Sequence, residues 1–144
     1  MKNLVAFSLI AALGITIGTP ATSTAVSIDY TEICERVGGR YDVSPEFLEA
    51  LIEETNTTAD VSKLVTEYIP GYEDRMADLD IDNLNDPSNS IEVSADYLVD
   101  LFEKYTDPEK VLAMYLDVDL TDTQINTIVE KSYQLETEHG KHDY

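Results

Sequence analysis

The chain has 144 residues and carries 29 Asp and Glu against 9 Lys and Arg, a formal net charge of −20 at pH 7. That balance excludes nucleic acid and anionic membrane surfaces as partners, because both repel such a chain at long range, and it suits solubility outside the cell. With Cys34 as the single cysteine no internal disulfide can form, so the fold has to be held by packing.

The segment Met1 to Ala25 opens with one Lys, runs through the apolar stretch Leu4 to Ile17 and closes on Ser23-Thr24-Ala25, a small-x-small pattern. This is the pattern of a secretory signal peptide over residues 1–25. As a helix rising about 1.5 Å per residue, the apolar run falls short of a hydrocarbon core about 30 Å thick. Cleavage after Ala25 leaves residues 26–144 as one compact domain, secreted or associated with the cell wall and without a membrane contact.

From Thr31 onward apolar residues recur at helical spacing and strict alternation is nearly absent, which predicts an all-α fold. Ile33 and Val37 mark a short first helix, expected to stop at Gly38-Gly39 because glycine reaches the left-handed conformation without steric cost. Ser44-Pro45-Glu46 opens the second helix with an N-cap Ser and a first-turn Pro. Along it Phe47, Leu48, Leu51, Ile52 and Thr55 share one stripe, while Glu46, Glu49 and Glu53 are expected on a solvated opposite face. Asn56 to Asp60 breaks the helix, Val61 to Tyr68 and Tyr72 to Leu79 read as short helices, and Pro70-Gly71 turns the chain between them. Asp86-Pro87 starts the longest helix, with Ile91, Ala95, Leu98, Leu101, Phe102 and Tyr105 inward. Asp107-Pro108 starts the next, with Val111, Leu112 and Tyr115 inward. The last begins near Thr121, buries Ile125, Ile128, Val129, Ser132 and Leu135, and frays into a polar tail from His139 to Tyr144.

No metal and no cofactor is expected. Asp78, Asp80 and Asp82 have the opening spacing of a calcium loop, yet Asn83 stands where the template needs Gly and Asn89 where it needs Glu. His139 and His142 fall in the polar tail with no partner Cys.

Several segments together resemble a known family. They are Cys34 to Gly38 followed by Tyr41 to Ile52; Asp74-Arg75-Met76 leading to Asp86 to Ile91 and Ala95-Asp96-Tyr97-Leu98; Val111 to Tyr115; and Glu130-Lys131-Ser132 with Leu135-Glu136 and His139-Gly140-Lys141. In this order they are similar to the lysozyme-like domain of bacterial lytic transglycosylases, which cleave peptidoglycan glycan strands with one Glu at the end of a catalytic helix. The resemblance implies a lysozyme-like helical domain over residues 26–144. It puts the catalytic Glu on Thr55, whose hydroxyl cannot act as an acid near neutral pH. The family's Gly-Leu-Met-Gln wall has no counterpart, and its Tyr-Asn pair reads Tyr115-Leu116.

Glu54 is the candidate substitute acid, at the edge of the apolar stripe where partial burial would raise its pKa, whereas Glu53 points away at about 100° per residue. Tyr68, Tyr72 and Tyr115 are candidate sugar contacts, set against the commoner reading of helically spaced aromatics as core. Thr55 is expected close to Tyr115, with Leu64 and Val65 filling the cleft. The expected function is that of an exported, non-catalytic transglycosylase-like domain binding peptidoglycan glycan or a protein of the envelope or conjugation apparatus. The alternatives are a weak transglycosylase using Glu54 and an acidic secreted decoy or inhibitor of a basic partner.

Overall fold

Seven α-helices and no strand make up residues 30–140, the part of the chain that the computed structural model describes. The expected signal peptide and residues 141–144, His142 among them, lie outside it. The all-α architecture and the single small domain agree with the periodicity. No helix among the described residues is long and apolar enough to cross a membrane.

The first helix, α1 (Tyr30–Tyr41), runs through Gly38-Gly39 instead of stopping there. Its end is made by Asp42, at φ 59°, and the Val43 N–H donates to the Gly38 carbonyl at 3.0 Å. Gly38 serves close packing: a Cβ there would meet the Val43 carbonyl oxygen at 2.5 Å. The second helix, α2 (Pro45–Glu54), starts as expected, with the Ser44 Oγ accepting from the Phe47 N–H at 3.2 Å.

The solvated acidic face expected on α2 is not there. Glu46 and Glu49 are buried beside Phe47, Leu48, Leu51 and Ile52, because α1 packs on one flank of α2 and the last helix on the other. Burial of these carboxylates is offset by hydrogen bonds. Glu49 Oε1 accepts from Thr31 Oγ1 at 2.5 Å, and Glu46 Oε2 lies 2.6 Å from His139 Nδ1. Of the three acids, Glu53 alone stays partly exposed, paired with Lys131 at 3.3 Å.

Two short helices follow, α3 (Ser62–Thr66) and α4 (Tyr72–Asp78), the latter entered through Gly71 at φ 65°. The loop after α4 exposes Asp80 and Asp82 to solvent. The long α5 (Pro87–Tyr105) is followed by α6 (Pro108–Leu116) and α7 (Thr123–Glu138). Asp86, Asp107 and Asp122 cap these three in one manner, each side chain accepting from the backbone N–H two residues on. Fully buried Ile91, Leu98, Leu112 and Ile128 join α2 in the core. Arg75 ties α4 to α5 through Asp96 at 2.6 Å and Asp100 at 2.8 Å, stacked over the Tyr97 ring. The end of α7 does not fray before its cap: His139 is fastened to Glu46, and that bond raises its pKa above the ordinary imidazole value.

Candidate functional site

At the C-terminal end of α2 the side chains terminate a helix. Thr55 Oγ1 donates to the Leu51 carbonyl at 2.6 Å and lies 3.1 Å from Thr57 Oγ1, which bonds the Ile52 carbonyl at 3.1 Å. Asn56, at φ 60°, then turns the chain away. Glu54 is half-buried, and its carbonyl accepts from Gln124 Nε2 at 3.1 Å, which pins the start of α7 to the end of α2. Leu64 and Val65 of α3 are both fully buried.

Tyr115 belongs to the core and offers no surface to a sugar. It is 1 % exposed; its hydroxyl donates to the Leu64 carbonyl at 2.9 Å and meets Ser94 Oγ at 2.9 Å. Burial pushes its phenol pKa far up. Its ring is flanked by Tyr68 and Tyr97, with centroids 5.9 and 5.3 Å away. Thr55 and Tyr115 therefore share no hydrogen bond: one serves its own helix, the other fastens α3 to α5 and α6. Tyr68 and Tyr72 are half-buried and packed against the core.

A cavity of about 770 Å³ opens at the other end of α2, within the size range of small-ligand sites. Its apolar lining comes from Val43 and Phe47, from Val99 and Phe102 of α5, and from Val129 of α7. Phe47 and Phe102 meet edge to face at 5.5 Å. The polar lining includes three carboxylates, Asp42, Glu103 and Glu136, and no basic side chain. Tyr133, 58 % exposed, and half-buried Tyr41 also line it. Tyr41 donates its hydroxyl to Glu92 at 2.9 Å, and burial together with that bond pushes its pKa up to about 12.

Neither Glu54 nor Thr55 lines this cavity, and neither do Tyr68, Tyr72 and Tyr115. Sequence reasoning missed it because its walls come from three separated segments. One signal was available: Tyr133 lies off the inward stripe of α7, a large aromatic left 58 % exposed.

These features define a class, an all-α domain with an apolar cavity ringed by acids at the N-terminal end of its central helix. No family model matches the chain, and no curated protein or solved structure matches it.

Proposed function

We propose that this chain is an exported, non-catalytic domain of transglycosylase-like ancestry that works by binding, and that its ligand is a basic, apolar-bearing segment of an envelope or conjugation protein. The observation that carries the reading is the cavity's composition, an apolar interior with Asp42, Glu103 and Glu136 and no basic group. An apolar side chain gains about 25 cal/mol for each Å² removed from water there, while a neighbouring Lys or Arg pairs with the carboxylates. The net charge of −20 steers such a partner inward. The same charge opposes lasting residence on a polyanionic wall, which favours the protein ligand over glycan strands. The absence of catalysis is supported by Thr55, whose hydroxyl is committed to α2's own carbonyls.

Two measurements test the reading together. Isothermal titration with a peptide alternating Lys and Leu should show binding that weakens at high salt, and the same peptide with Glu for Lys should not bind. Incubation with purified peptidoglycan should release nothing. Release of 1,6-anhydromuramyl products, lost in Glu54→Gln, would instead establish the weak transglycosylase.

A further inference from the structure

Three helices bring metal-binding atoms together on the face beside the cavity. Glu35 projects from α1, Glu46 from the first turn of α2, and His139 caps the end of α7. One donor atom from each lies within 4.8 Å of the other two. We propose that Glu35, Glu46 and His139 bind a divalent cation of the zinc type, through one imidazole and two carboxylates.

Geometry and chemistry both bear on this assignment. Around a tetrahedral zinc ion with bonds of about 2.0–2.2 Å, donor atoms sit roughly 3.3 Å apart, so the His139–Glu46 pair at 2.6 Å opens slightly while Glu35 adjusts from within 4.8 Å of both. Glu35 is exposed and can rotate toward a fixed point, and His139 is already turned toward it. Glu46 supplies that point, because its side chain is 1 % exposed and held by packing. His139 Nδ1 already faces Glu46 Oε2 at 2.6 Å, and the ion displaces the hydrogen between them as the two atoms move apart to ligand spacing, releasing that proton to solvent when the imidazole is charged.

A nitrogen donor beside two carboxylates suits zinc and its first-row neighbours better than calcium or magnesium, which prefer oxygen alone. A supporting layer is present as well. Ser44 Oγ lies 3.5 Å from Glu46 Oε1 and 3.3 Å from Glu136 Oε2. Ser44 and Glu136 also line the cavity, so an ion at this position braces one of its walls.

The test is calorimetric titration of the tag-free, chelator-treated chain with Zn²⁺, and in parallel with Mg²⁺ and Ca²⁺. One Zn²⁺ per chain should bind, with Mg²⁺ and Ca²⁺ far weaker. His139→Ala and Glu35→Gln should each lower the Zn²⁺ affinity at least about ten-fold, and His142→Ala should leave it unchanged. Glu35→Gln is a near-isosteric change at an exposed position and should leave the far-ultraviolet circular dichroism unchanged, so it carries the test by itself if His139→Ala, which removes the partner of buried Glu46, loses structure. Co²⁺ should give the visible absorption of a low-coordinate site, absent in His139→Ala. No Zn²⁺ binding, binding that survives both substitutions, or binding lost with His142 alone would each overturn the assignment. Because the peptide titration is run in chelator, its outcome stays separable from this one.

Discussion

Thr55 stands where the proposed transglycosylase-like ancestry would put an acid, and its surroundings are those of a helix stop. Its hydroxyl and that of Thr57 add side-chain hydrogen bonds to the Leu51 and Ile52 carbonyls, which also accept from the Thr55 and Thr57 N–H groups. Thr55→Glu removes this closure and adds a charge against a packed region, so it should cost on the order of 1 kcal/mol in urea unfolding and produce no peptidoglycan cleavage. Efficient cleavage by that variant would show an open cleft at this end of α2. Tyr115→Phe should cost more, about 1–3 kcal/mol, because it leaves the Leu64 carbonyl and Ser94 hydroxyl without their buried partner. A urea midpoint equal to the parent's would contradict that account. Tyr41 gives a test in pH. Its pKa is raised from 10.0 to about 12, so its contribution to stability is whole below pH 10 and is lost as pH climbs toward 12. The parent should therefore lose stability over that interval more steeply than Tyr41→Phe, as read from urea midpoints.

At the scale of helices, the two glycines of α1 make a paired test. Gly38→Ala forces a Cβ to within 2.5 Å of a backbone oxygen and should destabilise by about 1–3 kcal/mol. Gly39→Ala meets nothing within 4 Å on the exposed side of the same helix and should stabilise by about 0.5–1 kcal/mol. Thermal melts of the two variants should move in opposite directions. The glycine pair has the local pattern of a terminator, yet α1 runs through it: Gly38 permits close packing and Asp42 makes the turn. Helix starts were legible because Ser44, Asp86 and Asp107 precede prolines, a local signal that needs no tertiary context. The charged face of α2 was misread for the opposite reason. Periodicity assumes that a helix buries one side, whereas α2 lies between α1 and α7, and only tertiary contact shows that Glu46 and Glu49 meet His139 and Thr31 there.

Across the whole molecule, the core was legible and the cavity was not. Ile91, Leu98, Leu112, Ile125 and Ile128 fell on predicted stripes and are all buried. The cavity needs Tyr41 to Phe47, Val99 to Pro108 and Val129 to Glu136 to converge, and no local pattern encodes that meeting. Cys34 has no part in it: buried, with its thiol pKa pushed up mainly by that burial, it behaves as a small apolar residue of α1. The molecule thus carries open apolar volume at the Ser44 end of α2, under a strongly negative charge.

Filling that volume tests the central claim most directly. Val129 is half-buried in the cavity wall, so Val129→Phe adds bulk to the open space without removing a core contact. Affinity for the Lys-Leu peptide, measured by calorimetry in chelator at low salt, should fall at least about ten-fold in Val129→Phe, equivalent to about 1.4 kcal/mol, with the melting temperature unchanged. Unchanged peptide affinity in this folded variant would contradict the account and remove the cavity as the site of function.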